Sequence, residues 1–244
     1  MLFRSWSLDL RRYIFDTWRG TAERYGLREY DGPPIEELDL YTKKSGNEIV
    51  GQLYNFTDKG DRNVSLRPEM TPTLARMAAA HTRNYKKPIK WFSIPQLFRY
   101  ERQQKGRLRE HFQFNADIIG EEHLAADAEL IALLIDTLRD LKLTSDDFVV
   151  RLSSRRAWQD FFGNGGGQEK DAYGFYQLID KLDREDPAVS GDKLAKLGFS
   201  IEQVNDFIEA GKPTDELAAI IGNIEARGLG DFIKIDYQIG RAHV

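Results

Sequence analysis

The stretch Trp91–Gly120 constrains the fold more than any other part of the chain, because its side chains alternate between polar and apolar with the period of a β-strand. Two alternating segments are joined by a short basic loop, Gln103–Arg107. In the second segment one face is apolar and consists of Phe112, Phe114, Ala116 and Ile118. The opposite face is polar and consists of His111, Gln113, Asn115 and Asp117. The stretch predicts an antiparallel hairpin with one face in the core.

The second face of this predicted hairpin collects charged and amide side chains. In the first segment Leu97, Arg99 and Glu101 share a face. If the polar faces of both segments align, one surface holds Arg99, Glu101, Gln113 and Asp117. A solvated amphipathic hairpin is one interpretation, and a floor for a polar, anionic ligand is the other. The mixture of Arg, Gln, Asn and Asp beside aromatic residues favours the ligand floor, since solvated faces are richer in Lys, Glu and Thr.

Composition excludes several classes of protein. A chain of 244 residues with 41% hydrophobic and 30% charged residues is typical of a globular protein of one or two domains. The net charge of -4 gives no overall basic field for nucleic acid, and the absence of cysteine excludes thiolate chemistry. The four histidines lack metal-ligand spacing. No apolar run reaches transmembrane length, so we expect a cytoplasmic protein. Neither a P-loop nor a strand-linked G-x-G-x-x-G occurs, so any nucleotide must be bound by a different structural motif.

Both ends of the chain match what common sequencing-adapter DNA encodes. MLFRS covers residues 1–5, read with a GTG start codon, and IGRAHV covers residues 239–244. We therefore expect both ends to be adapter-derived and the natural protein to continue beyond Gln238. Whether it also begins before Trp6 is left open, and both ends are excluded from the fold prediction.

Helical and strand periods alternate through the first part of the chain. Apolar spacing predicts a helix over Leu8–Tyr25, and the break at Gly32–Pro34 suits a sheet edge or an interface. Thr71 is predicted to cap a helix that has Pro72 at its first position. The remaining predicted strands are Leu27–Tyr30, Leu53–Asp58 and Asn63–Arg67, the last two forming a hairpin.

The second part of the chain is mainly helical. A long helix over Glu121–Leu141 and a strand over Phe148–Leu152 are followed by short helices separated by Gly or Pro. Two of these helices are predicted to begin at the N-caps Ser200 and Thr214, and alternation returns over Phe232–Gln238. We predict a core over residues 6–152, a helical insertion over 153–230 and a returning core strand over 231–238.

Three stretches resemble histidyl-tRNA synthetase, a class II aminoacyl-tRNA synthetase. Phe98–Gly120 (FRYERQQKGRLREHFQFNADIIG) resembles motif 2 of the class in its histidyl form. Leu66–Thr71 (LRPEMT) resembles the amino-acid-binding segment of the family, and Tyr25–Tyr41 resembles motif 1 with its proline at Pro33. The resemblance implies an α+β fold, an antiparallel sheet flanked by helices with a helical insertion. It also implies a homodimer formed through the motif 1 region.

The resemblance implies that histidine and ATP form histidyl-adenylate, and that the histidyl group is then transferred to tRNA(His). Attack of a carboxylate on the α-phosphate brings two anionic groups together, and Arg99 is the predicted catalytic guanidinium that spans both. Arg107 is expected to contact the β- and γ-phosphates, and Glu101 the adenine amino group. Either His111 or, through a local bulge, Phe112 is expected to stack on adenine. Mg²⁺ is expected with the triphosphate.

The same resemblance assigns a histidine-binding set. Glu69 and Thr71 are expected at the α-amino group, assisted by Gln113, and Arg99 at the carboxylate. Asp117 is expected at an imidazole N–H, although many members of the family have Glu there.

Two other functions share this fold. One is the regulatory subunit of ATP phosphoribosyltransferase, which binds histidine without activating it. The other is a synthetase-like sensor of uncharged tRNA. The intact Arg99, Glu101 and basic loop favour the synthetase, because a sensor does not need phosphate contacts. We expect the chain alone to be inactive, since the histidine-specific Arg-Gly-x-x-Tyr-Tyr segment, motif 3 and an anticodon-binding domain are absent from it.

Overall fold

Short strands and three helices make up the first half of the chain in a computed structural model, which describes residues 5–45, 47–100, 108–182 and 184–238. Residues 1–122 and 123–244 form two compact units. The elements of the first unit, in chain order, are α1 (Ser5–Arg24), β1 (Arg28–Glu29), β2 (Ile35–Glu37), α2 (Asp39–Ser45), β3 (Asn55–Thr57), β4 (Asn63–Leu66), α3 (Thr71–His81), β5 (Ile89–Ser93), β6 (Gln96–Phe98), β7 (Glu110–Phe112) and β8 (Asn115–Ile119).

The predicted central hairpin is confirmed. Strand β5 pairs antiparallel with β8, from Ile89 opposite Ile119 to Ser93 opposite Asn115. Strand β6 pairs antiparallel with β7, and Gln96 lies opposite Phe112. The two ladders share one register. The Gln96–Phe112 pair lies three residues beyond the Ser93–Asn115 pair along both strands. The ladder is interrupted at Pro95, which has no N–H to donate, although its carbonyl accepts from Gln113 N at 3.3 Å.

Aromatic side chains fix the apolar face of the hairpin against α1. Phe114 stacks on Trp18 with ring centroids 5.6 Å apart, and Phe112 meets Phe15 edge-on at 5.0 Å. Phe92, on the neighbouring strand, is fully buried and contacts Phe114. The predicted apolar face is therefore half-buried, and α1 is the layer that covers it.

The predicted strands around the hairpin are present, and β2 is a strand that was not predicted. β3 and β4 form the predicted antiparallel hairpin, and β2 pairs with the other side of β4. β1 runs parallel to β5 at a sheet edge. The prediction that Thr71 caps α3 is wrong: Met70, in helical conformation, occupies the N-cap without a side-chain cap bond. Thr71 already belongs to the helix and its side chain is exposed.

The second unit consists of helices and one pair of short strands. Its elements are α4 (Ala125–Asp140), β9 (Val150–Leu152), α5 (Arg155–Asn164), α6 (Ala172–Ile179), α7 (Pro187–Lys196), α8 (Ile201–Ala210), α9 (Asp215–Ala226) and β10 (Ile233–Ile235). β10 is the predicted returning strand and runs parallel to β9. Both predicted N-caps are confirmed, since Ser200 accepts from Gln203 N in a capping box and Thr214 accepts from Leu217 N.

The units divide the chain at a different place from the predicted domains. The boundary between them follows Glu122, whereas the predicted core extends to residue 152. The long helix α4 packs against α9, and β9 pairs with β10, so both lie within the helical unit. The assignment of residues 6–152 and 231–238 to the catalytic core, and of residues 153–230 to the insertion, therefore stays a prediction.

Arg67, at the end of β4, joins distant segments of the first unit. Its side chain is buried, and Nη1 donates to Asp31 Oδ1 at 2.8 Å and to the Gly32 carbonyl at 2.7 Å. Nε donates to the Gln96 carbonyl at 3.0 Å. The backbone of Arg67 adds bonds to Pro34 O and from Phe98 N. One residue thus ties the Asp31–Pro34 segment to the central hairpin and positions the residues that follow it.

We expect Arg67→Leu to destabilise the first unit by about 2–4 kcal/mol, because two part-buried carbonyls lose their donor and no apolar side chain can replace it. Chemical denaturation, monitored by the fluorescence of the tryptophans in this unit, measures the shift. Arg67→Lys should recover only part of the loss, because an ammonium lacks the planar fork. Arg62→Ala is the control, since Arg62 pairs with Asp58 within an exposed turn. An Arg67→Leu midpoint equal to that of the control would contradict the anchoring role.

Candidate functional site

The polar face of the central hairpin is the candidate site. Residues directly opposite each other in an antiparallel ladder share a face, and Leu97 lies opposite His111 while Trp91 lies opposite Asp117. Arg99 continues the same ladder, since its N–H donates to the Arg109 carbonyl at 2.9 Å. The predicted alignment of polar faces is therefore correct. Glu101 and Arg107 lie outside the described residues.

Arg99 joins this face to the segment that follows Arg67. Its Nε donates to the Pro68 carbonyl at 3.1 Å, and its side chain is half-buried. In the described ranges no protein acceptor meets its two terminal nitrogens. A guanidinium that is held through Nε keeps its two terminal nitrogens for a ligand. These nitrogens can donate two parallel N–H groups to an oxyanion.

Glu69 and Thr71 lie just beyond this anchor. Pro68 and Met70 are buried, while Glu69 is half-buried and Thr71 is exposed, so the two predicted histidine contacts alternate with core residues. Arg67, Pro68 and Phe98 fix the backbone here through the bonds given above. The structure therefore brings the Glu69 segment and Arg99 together, as the sequence predicts.

The structure separates the two candidates for adenine stacking. Phe112 lies on the α1 face, where its ring meets Phe15 and the Arg11 guanidinium lies 5.2 Å from its centroid. The bulge that would bring it to the polar face is absent from the described ladder, where three consecutive pairs run from Gln96–Phe112 to Phe98–Glu110. The predicted contact of Phe112 with ATP is corrected accordingly. His111 lies on the polar face, and its contact with adenine stays a prediction.

Asp117 lies at the other end of the polar face. Burial raises the pKa of its carboxyl group, and no ion pair or hydrogen bond to it occurs within the described part of the chain. Gln113, also half-buried, lies on the same face between Asp117 and His111. A carboxylate kept without a protein cation suits a ligand that brings its own N–H.

Two hydroxyl groups near Asp117 escaped the sequence analysis. Tyr30 Oη and Ser93 Oγ are both buried, and neither makes a hydrogen bond of normal geometry among the described residues. Burial raises the pKa of Tyr30 to about 12, against a lowering by the nearby Ser93 hydroxyl, and Asp117 contributes to the rise. Both residues lie in predicted strands, but the register in which β1 and β5 pair across residues 30–88 is not given by the sequence alone.

Neither a cluster of metal-ligating side chains nor a membrane-spanning helix occurs in residues 5–45, 47–100, 108–182 and 184–238. No group of three or more His, Cys, Asp or Glu side chains there could hold a metal ion. No helix in those ranges is both long and apolar enough to cross a membrane.

Two solved structures share this fold over nearly the whole chain. An ATP phosphoribosyltransferase regulatory subunit/histidyl-tRNA synthetase from Bacillus halodurans C superposes with a TM-score of 0.79, over 98% of this chain and 66% of its own, at 19% identity. Histidyl-tRNA synthetase from Nostoc sp. PCC 7120 gives a TM-score of 0.79 over 96% and 58%, at 23% identity. At these identities the likeness defines the fold alone, and that fold is the predicted α+β fold of a class II aminoacyl-tRNA synthetase.

Sequence comparison identifies the family. The family model of histidyl-tRNA synthetase matches residues 9–218. The histidine–tRNA ligase of Opitutus terrae is 41% identical over 257 aligned positions, covering 96% of this chain and 59% of the relative. That of Haloarcula marismortui is 42% identical over 202 positions, covering 83% and 46%. The chain belongs to the histidyl-tRNA synthetase family, and it spans between about half and three fifths of the length of these relatives.

We expect Asp117→Asn to raise the stability of the protein at pH 7, because the folded state no longer buries a carboxylate. A group whose pKa is raised on folding loses stability as pH rises, from its unfolded value of about 3.9 up to its folded value. The gain from Asp117→Asn should therefore shrink as pH falls and vanish below about pH 4. Thermal unfolding between pH 3 and pH 8 measures it.

Asp58→Asn is the control with the opposite sign. Hydrogen bonds from Arg62 hold the pKa of Asp58 below its ordinary value, so its contribution is present at neutral pH and is lost as pH falls. Asp58→Asn should lower stability at pH 7 and approach the parent at low pH. An Asp117→Asn curve parallel to that of Asp58→Asn would contradict the burial of an unpaired carboxylate.

Proposed function

We propose that the chain is the catalytic portion of a histidine–tRNA ligase. In the first step a carboxylate oxygen of histidine attacks the α-phosphorus of ATP, the bond to the β-phosphate oxygen breaks, and pyrophosphate leaves. In the second step the histidyl group passes to a hydroxyl at the 3′ end of tRNA(His), and AMP leaves. The observation that carries the proposal is Arg99, held against the Glu69 segment on the same face that ends in Asp117.

Arg99 is the catalytic residue of this proposal. Its guanidinium, fixed through Nε, bridges the histidine carboxylate and the α-phosphate. Because the side chain is already positioned, charge that develops at phosphorus is stabilised without further reorganisation. Arg107 would bind the β- and γ-phosphates, Glu101 the adenine amino group, and His111 the adenine ring. Mg²⁺, carried by the triphosphate, would neutralise part of its charge.

Histidine would lie along the polar face. Glu69, Thr71 and Gln113 would bind the α-amino group, and Asp117 would accept from an imidazole N–H. The half-buried positions of Glu69, Gln113 and Asp117 support this assignment. Each side chain is exposed enough to contact a ligand and is partly shielded from water. The family also implies two partners, which are tRNA(His) and a second copy of the chain bound through the motif 1 region. It further implies a cytoplasmic location.

We expect Arg99→Ala, in the full-length protein, to lower histidine-dependent exchange of pyrophosphate into ATP by about 100- to 1,000-fold, the range for removing one donor that stabilises transition-state charge. Arg99→Lys should remain impaired, because one ammonium cannot span two oxyanions. Arg62→Ala, remote from the polar face, should exchange at the parental rate.

Histidine binding, measured separately by titration calorimetry, distinguishes the alternatives. A parent protein that binds histidine but catalyses no exchange would be a regulatory subunit of the ATP phosphoribosyltransferase type, and the proposed ligase activity would be wrong. Exchange that survives in Arg99→Ala would leave the activity in place and contradict the role of Arg99.

A further inference from the structure

An aromatic groove lies between α5 and α8 in the second unit, with the rings of Phe161, Phe199 and Phe207 as its floor and a volume of about 580 Å³. The ring centroids of Phe161 and Phe207 are 4.7 Å apart, and those of Phe161 and Phe199 are 5.7 Å apart. Phe199 is buried, whereas Phe161 and Phe207 are only half-buried. Part of each half-buried ring therefore stays accessible to an apolar group that enters the groove.

The walls of the aromatic groove are fixed by contacts within the second unit. The turn between α8 and α9 is held by Tyr237, whose hydroxyl donates to the Lys212 carbonyl at 2.8 Å. The end of α5 approaches the floor so closely that a Cβ at Gly165 would clash with the Phe199 ring. The groove is thus formed before a partner arrives, and a preformed site costs little ordering free energy on binding.

Negative charge is concentrated beside the groove. Asp160 of α5 and Asp206 of α8 line it, and among the described residues that do so Lys212 alone is basic. The segment Ile201–Ala226, which contains α8 and α9, has six Asp or Glu residues and a single Lys. Its formal net charge of -5 exceeds in magnitude the -4 of the whole chain. The excess negative charge of the chain is therefore a property of this segment.

Asp206 is the carboxylate best placed to bind a cation from outside. Asp160 already accepts from Arg156, at 3.0 Å within α5. Asp206 is exposed and makes no ion pair or hydrogen bond within the described ranges. Glu202 and Glu209 lie on the same face of α8 as Asp206, because residues three or four positions apart are neighbours on a helix. A cation at this rim would therefore meet several carboxylates.

An apolar floor beside an acidic rim discriminates between kinds of occupant. Nucleic acid is disfavoured, because carboxylates repel phosphate groups. An acidic or uncharged peptide would leave Asp206 without a partner. A helix with apolar side chains on one face and Lys or Arg side chains beside them complements both features, and amphipathic helices bind apolar grooves in this way.

We propose that the aromatic groove binds a basic amphipathic segment of a partner protein, with an apolar side chain on Phe161 and Phe207 and a Lys or Arg side chain at Asp206. The groove lies within the second unit, whereas Arg99 and the polar face belong to the first. The inference is therefore independent of the proposed reaction.

The probe is a synthetic peptide of about 15 residues with Leu on one helical face and Lys on the other, long enough to form a helix. Titration calorimetry into the full-length protein should show saturable binding. A second peptide with Ala in place of every Leu keeps the charge. It should bind at least about tenfold more weakly, because Ala cannot cover the aromatic floor.

Asp206→Lys reverses the charge at the rim and should weaken binding of the Leu/Lys peptide about tenfold, through loss of a charge-assisted contact. Asp192→Lys is the matched control, since Asp192 is also exposed on a helix of this unit but does not line the groove. This variant should bind the peptide as the parent does. Both variants should keep the parental melting temperature and the parental rate of histidine-dependent pyrophosphate exchange.

Three results would overturn the proposal. The first is that the Leu/Lys peptide does not bind, or binds Asp206→Lys and Asp192→Lys equally. The second is equal binding of the Leu/Lys and Ala/Lys peptides, which would indicate unspecific attraction to an acidic surface. The third is that Asp206→Lys instead changes the binding of a tRNA acceptor-stem hairpin or the sedimentation of the protein alone, because the occupant would then be RNA or a second copy of the chain.

Discussion

The buried guanidinium of Arg67 is the interaction on which the first unit depends. It bonds to Asp31 and Gly32 on one side and to the Gln96 carbonyl on the other, so three segments distant in sequence meet at one side chain. Close approach at Gly32 is part of this arrangement, because a Cβ there would lie 2.5 Å from Thr73 Cγ2. A planar donor with several N–H groups can satisfy carbonyls from different directions, which explains why Arg is suited to this position. Pro68 and Glu69 follow directly, so the geometry of the candidate site is set by a residue that takes no part in its chemistry.

The sequence predicted those features that depend on local period. Alternation over Trp91–Gly120 gave the hairpin, its two faces and the contrast between His111 and Phe112, because side chains in a strand point to opposite faces in turn. Ser200 was predicted as an N-cap because the capping box lies within four residues. Thr71 fails by one position: Met70 takes the N-cap instead, and Thr preference is too weak to override the backbone that Arg67 fixes.

The features that the sequence did not predict depend on contacts between distant strands. Tyr30 and Ser93 meet only because β1 lies parallel to β5 in one particular register, and a shift of one residue would turn Tyr30 to the α1 face. The unpaired state of Asp117 is likewise invisible in sequence, since it depends on which side chains the neighbouring strands do not supply. Burial of a polar group is a property of the assembled sheet, whereas its type and its face are properties of the strand.

Unpaired buried groups distinguish the site from the scaffold only when a ligand can reach them. Tyr41 Oη and Thr73 Oγ1 are fully buried beside each other: burial raises the pKa of Tyr41 to about 12, and the neighbouring Thr73 hydroxyl lowers it. Any hydrogen bond that an enclosed hydroxyl does not make, at about 1–3 kcal/mol each, lowers the stability of the fold and cannot be regained from a ligand. Asp117 is only half-buried and has no ion pair or hydrogen bond among the described residues, so a ligand that brings an N–H can remove its deficit on binding. The free energy that the fold loses at Asp117 becomes binding free energy that only a complementary ligand regains. A side chain that merely fills the space does not regain it, and this difference is the physical basis of selectivity at a polar site.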